Sequence, residues 1–341
     1  MNRVVWGSTW DGHSRAPLRV GIATIAAVEL LVESAQVDWQ SRDPVAYPPR
    51  GGLAEGLATI PGAAWLIYAM ILLGLVALAT DRRPILAGAW ALLWAGLLSE
   101  WQTQIFGSPS RNAFFPGAVL LGWILGQAWA RATSRAAGTT AGRAFRERLA
   151  EAGALACLAA AYVGSGGSKL LSAGLGWTDG AQVRALILEQ QPVASWAWLA
   201  SYRDAMVEHP SMAAGAAAAT LVIETGAVLL LLGPRLRLAW AAVLLGLHLN
   251  IILLCAMPYL EPMLLLVLFV VPWPRVFGRR RIPEPDSSLH EHRPAAPRLM
   301  VLILVGIIAA AWLLAPWGWR GEHVDPNPPF VEEGGGPARA R

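Results

Sequence analysis

The sequence predicts an all-α fold, a polytopic bundle of about nine transmembrane helices, and three observations carry that reading. The first is composition: 55% of the residues are hydrophobic, 15% are charged and mean hydropathy is +0.45. Soluble domains carry roughly 25% charged residues, so this chain has too few to coat a globular surface in water. The second is the grouping of its apolar residues into nine runs, each near the about 20 residues that a helix needs to cross a bilayer. The third is an unequal division of the 27 lysines and arginines between alternate loops. Seventeen tryptophans agree, since Trp gathers at the membrane–water boundary. Collagen-like, coiled-coil, disordered and disulfide-framework classes are excluded by the same figures. The two cysteines, Cys157 and Cys255, each sit inside an apolar run and read as small buried hydrophobes. No metal-ligand spacing surrounds them, and no metal is expected.

Residues 1–16 form a short Arg-containing cytoplasmic leader. The first span, 17–37, lacks a small-residue cleavage site and reads as a retained helix. Spans at 60–80, 84–101, 114–131 and 148–165 follow. An external segment, 166–211, contains Gly166, Gly167, Trp177, a short helix predicted at 179–190 and the pair Trp196 and Trp198. Those tryptophans place it at the membrane interface. Spans at 212–233 and 237–256 are joined by Gly233-Pro234, a turn that demands antiparallel packing. A short span at 260–274 completes a transmembrane domain over 17–274. A basic cytoplasmic linker, 275–298, holds Arg279, Arg280 and Arg281. A last span, 299–317, precedes a Pro- and Gly-rich tail, 318–341, whose composition reads as disordered.

With the N-terminus inside, the cytoplasmic segments hold 18 of the basic residues and the opposite side 9. That twofold bias has the expected sense and places the C-terminus outside. The net charge of +4 is thus a topology signal; membrane lipid is the expected partner and nucleic acid is not.

Ionisable groups at membrane depth are expensive and face a bundle interior or a wet cavity. The first span carries Glu29, Glu33 and Gln36 on one helical face. The sixth carries Glu224, and the seventh carries His248 with Asn250 two residues on. Each is open to two readings, an interhelical hydrogen bond that holds helices together or part of a proton or substrate path. Glu224 and His248 are offset by about six residues, or about 9 Å along antiparallel axes. A water or ligand between them is therefore expected, not direct contact.

Lys169 is the single lysine among 27 basic side chains. Arginine stays protonated, whereas lysine can lose its proton and act as a base. It follows Gly164-Ser165-Gly166-Gly167-Ser168 at the external end of the fifth span, where small residues allow a backbone or ligand to come close. A base there is expected to have no carboxylate partner, because a nearby anion favours the charged form. The competing reading is a cation reaching for the headgroups.

Residues 162–180, Y-V-G-S-G-G-S-K-L-L-S-A-G-L-G-W-T-D-G, resemble a signature of the vitamin K-dependent γ-carboxylase-like transmembrane (HTTM) family. The shared features are an aromatic residue, a small Gly-containing turn, Lys169-Leu170, then Trp177 and Gly180. A second block is similar, with Glu224, then His248 and Asn250, then Met257-Pro258-Tyr259 and Trp273-Pro274-Arg275. The resemblance spans residues 15–277, most fully 150–275. It implies Lys169 as a base that deprotonates a lipophilic quinol on the outer face, with His248 and Glu224 as relay or positioning groups. It implies Trp177, Gly180, Asn250 and Tyr259 as substrate-binding residues, a quinone or quinol as cofactor, and a bacterial inner-membrane location. Two departures stand out. The carboxylases carry an Asn-His pair where this chain has Asn112-Ala113, and their large lumenal domain has no counterpart here. True γ-glutamyl carboxylation is thus not expected, and maturation of an exported peptide is the nearer activity. A non-catalytic membrane partner or chaperone subunit, and a DoxX-like quinone-binding redox subunit, are the alternatives.

Overall fold

Eight of the nine apolar runs become α-helices and two further helices form between them in the computed structural model, which describes residues 16–32, 56, 60, 62–106, 111–133, 140–190, 196–257 and 259–271. These are α1 (Ala16–Val32), α2 (Ala63–Ala79), α3 (Pro84–Phe106), α4 (Arg111–Thr133), α5 (Thr140–Ala173), α6 (Ala181–Gln190), α7 (Ala197–Glu208), α8 (Pro210–Thr225), α9 (Pro234–Cys255) and α10 (Leu260–Val270). Tighter 3₁₀ turns at Gly174–Asp179 and Gly226–Leu231 extend α5 and α8. No strand occurs among the described residues. The ninth span, the basic linker, the tail, Glu33, Gln36 and the Trp273-Pro274-Arg275 motif lie outside them.

Three segments are long and apolar enough to cross a membrane, Phe145–Asp179, Pro210–Leu231 and Pro234–Cys255. Shorter apolar helices occupy Ala63–Ala79, Pro84–Glu100 and Leu260–Val270. The eighth span is the shortest of these, since an 11-residue α10 measures only about 17 Å. The fifth grows instead. Its 34 residues continue helically through Gly164 to Ser168, where a turn is expected from the sequence. Large apolar side chains remain uncovered along several helices, among them Leu73, Leu93, Trp129 and Val222. Such patches demand an apolar solvent.

α5 is the central post. It packs against α4 along one side and against α8 and its 3₁₀ extension on another, while α1 touches α2, α4 and α10. The α4–α5 contact is built from glycine. A Cβ on Gly122 would lie 2.2 Å from the carbonyl oxygen of Gly153, and one on Gly126 would lie 2.2 Å from that of Leu149. Spacing of Gly122 and Gly126 four residues apart presents a smooth stripe, the arrangement that lets membrane helices approach backbone to backbone.

Polar ties sit at the end of α5 remote from Lys169. Gln127 Nε2 on α4 donates to Glu147 Oε1 on α5 at 3.1 Å. Arg19 pairs with Asp81, joining two segments that the charge bias puts on one side. Arg237, counted from sequence as a loop charge, is buried, and its Nε donates to the Leu230 carbonyl at 3.1 Å.

α9 begins where Gly233 takes φ +130° and Pro234 occupies the first helical turn. Proline suits that position because its missing N–H has no intrahelical partner there anyway. The predicted helix at 179–190 forms at Ala181–Gln190, and the interfacial segment gains α7. Trp196 and Trp198 stack at 5.9 Å and are exposed.

Candidate functional site: a polar face near the C-terminal end of α5

Tyr162, Ser165 and Lys169 recur at i, i+3 and i+7 along α5 and so share one face. Each meets a residue from another helix. Lys169 Nζ forms an ion pair with Glu224 Oε2 on α8 and donates to Ser165 Oγ at 3.1 Å. Ser165 Oγ in turn donates to Glu224 Oε1 at 3.2 Å. The ammonium also lies 5.6 Å from the centroid of the Trp177 ring, within the range of a cation–π contact. The expectation that Lys169 would stand apart from carboxylates is thereby corrected. Its surroundings are those of a paired cation and not of an isolated amine.

What makes the pair possible is Gly166. A Cβ there would meet Thr225 Cγ2 at 2.8 Å and Glu224 Cβ at 3.1 Å. The small residue admits the α8 backbone, and Glu224 arrives opposite Lys169 as a consequence. Of the two possibilities for the Gly-containing stretch, close backbone approach is the one the structure uses at this residue.

About two helical turns from Lys169 along α5, Tyr162 Oη and His248 Nε2 are hydrogen-bonded at 2.7 Å. Both residues are buried. Their rings belong to a row of four, with centroid separations of 4.7 Å for Phe115 and Tyr162, 5.7 Å for Tyr162 and His248, and 6.0 Å for His248 and Tyr259. Glu261, in the first turn of α10, is buried beside them, and both it and Glu224 act electrostatically on Tyr162. The Nδ1 atom of His248 is buried and has no hydrogen-bond partner among the described residues. No direct hydrogen bond joins Glu224 to His248 among the described residues. They are linked instead through side chains of α5, Ser165 and Lys169 for one and Tyr162 for the other.

The remaining sequence candidates divide. Asn250 Oδ1 accepts from Tyr202 Oη at 2.8 Å. Arg203 Nε donates to the Leu253 carbonyl, also at 2.8 Å, so α7 is strapped to the end of α9 just beyond His248. Gly180 has φ +80°, and a Cβ on it would lie 2.4 Å from Ala214 N. Its identity is accounted for by a left-handed turn packed on α8. Tyr259 Oη points to Met257 Sδ at 3.7 Å, while its ring faces His248. Trp177 contributes its ring to Lys169, and its Nε1 is buried without a partner among the described residues. Glu29 is half-buried on α1. The side chains of Asn112 and Ala113 lie outside the described residues.

Sequence reasoning missed Tyr162, Ser165 and Glu261 as members of this cluster. Tyrosine and serine within an apolar run carry no obvious cost and so raise no flag. Glu261 does, but it lies at the start of the short eighth span, next to Pro262, and reads as a loop-edge charge.

No protein-family model, curated protein or solved structure matches the chain. Among the described residues no cluster of three or more histidine, cysteine or acidic side chains is arranged to hold a metal ion.

Proposed function

We propose that the chain is a multi-pass membrane protein of the HTTM type that receives the headgroup of a lipophilic quinone or quinol near the outer face of the membrane. Nine spans, an internal N-terminus and an external C-terminus in a bacterial inner membrane complete the proposal. The observation that carries it is the Tyr162–His248 couple, a buried hydrogen-bonding pair within a row of four rings and with an unpartnered imidazole nitrogen. Flat aromatic walls suit a ring headgroup. A few convergent polar groups in an apolar setting are the usual make-up of a small-molecule site.

In this reading His248 and Tyr162 handle hydrogen bonds and protons. Lys169 and Glu224 fix α8 against α5 and give the outer rim its charge. The lysine is engaged by a carboxylate, a hydroxyl and an indole ring, which leaves the imidazole as the group that meets the headgroup. A second reading, a non-catalytic subunit whose polar groups hold the bundle together, is favoured by the mutual satisfaction of Lys169, Glu224 and Ser165.

Titration of the purified protein in lipid nanodiscs with decyl-ubiquinone and with menadione separates the two. Empty nanodiscs supply the partition background. Saturable binding that weakens at least about tenfold in His248→Ala, the loss of about one good hydrogen bond, is the expected result. Quinone uptake no greater than that of empty nanodiscs would leave the structural subunit as the answer.

A further inference from the structure

Tyr162 Oη is buried, and its proton has one acceptor among the described residues, His248 Nε2 at 2.7 Å. A phenol is a donor as well as an acceptor, and a buried hydroxyl proton must find a lone pair. The hydroxyl therefore donates to Nε2. A neutral imidazole that accepts at Nε2 carries its own proton at Nδ1. That Nδ1 is the atom left without a partner, on a residue only 5% exposed. A buried N–H with nothing to donate to is uncommon in folded proteins.

We infer that His248 Nδ1–H is the donor that a ligand's carbonyl oxygen accepts, and that Tyr162 is the positioning residue that fixes this tautomer. The inference rests on the quinone reading above and sharpens it. It selects the oxidised, carbonyl-bearing quinone as the species that satisfies the site. A quinol hydroxyl can also accept, but its own proton then needs a second acceptor. The tautomer makes Tyr162 part of the recognition without any contact between Tyr162 and the ligand.

Nitrogen-15 NMR of histidine-labelled protein in nanodiscs tests it, with the His248 signals identified by their loss in His248→Ala. In the free protein, Nδ1 should show the shift of a protonated nitrogen and Nε2 that of an acceptor. In Tyr162→Phe the two tautomers should mix, and quinone affinity should fall about fivefold although His248 is intact. Adding decyl-ubiquinone to the wild type should move Nδ1. A proton on Nε2 in the free protein overturns the inference whether or not quinone binds. Saturable quinone binding that leaves the His248 nitrogens unmoved overturns it too, while the broader quinone reading survives. Absence of any saturable binding ends both.

Discussion

Residues 140–161, the N-terminal two thirds of α5, meet α4 through Gly153 in a contact made of backbone and small side chains. Residues 162–173, the C-terminal third, meet α8 through Gly166 in a contact that brings a carboxylate to an ammonium. Both depend on a missing Cβ, yet they achieve different things. At Gly122, Gly126 and Gly153 the atoms in the way of a side chain are main-chain carbonyls, and the gain is dispersion contact along a closely approached pair of helices. At Gly166 the nearest atoms are a threonine methyl and the Cβ of Glu224. There the gain is the placing of one charged group. In a single helix, one part serves as scaffold and the other presents chemistry.

The most drastic test of that division asks whether the two ends of α5 face opposite sides of a membrane. Single cysteines at Arg148 and at Ser172, in a background where Cys157 and Cys255 are alanine, should react with a membrane-impermeant maleimide from opposite sides. The outer reagent should label only Ser172→Cys in intact cells. Labelling of both from one side would collapse the two-sided picture.

Next in size is the scaffold contact. Gly122→Val puts a branched side chain where even a Cβ lies 2.2 Å from a carbonyl oxygen, and the helices must separate. A loss of about 3 kcal/mol, read as a sharp fall in folded protein after detergent extraction, is expected. Wild-type yield and melting would show that the glycine stripe is dispensable.

Gly166→Ala should be milder, because the nearest atoms lie at 2.8–3.2 Å and none is a main-chain carbonyl. A cost of about 1–2 kcal/mol is expected, together with partial loss of the Lys169–Glu224 contact. Thermal unfolding in mixed micelles would show it, and a stability unchanged within error would mean that α8 is not held at this point.

Much of this was legible from the chain, and what was not has a physical explanation. Glu224 and His248 stood out because polar groups are costly in an apolar run, and Lys169 as the single lysine; the structure brings Glu224 and His248 against the α5 face that carries Lys169. Their partners did not stand out, because a hydroxyl on Tyr162 or Ser165 becomes informative only when a second helix supplies the complement. The helical course of 164–168 also ran against local expectation. Four small residues around Ser165 read as a turn in isolation, and packing against α8 overrides that preference. The Gly122–Gly126 spacing was visible in the sequence but needed Gly153 across the interface to acquire meaning. Arginines misled in another way. Arg203 and Arg237 were counted as loop charges, yet both are buried with Nε on a main-chain carbonyl.

The central claim is that Lys169 works as a paired cation near the C-terminal end of α5. A double-mutant cycle tests it most directly, using Lys169→Met, Glu224→Gln and the two combined, with denaturant unfolding in mixed micelles as the readout. Side-chain exposures of 19% and 10% place the pair between a surface ion pair and a fully buried one. A coupling of about 1–2 kcal/mol is therefore expected, with the double variant more stable than the sum of the single losses implies. Additivity within about 0.5 kcal/mol would contradict the account and return Lys169 to the role of an unengaged amine.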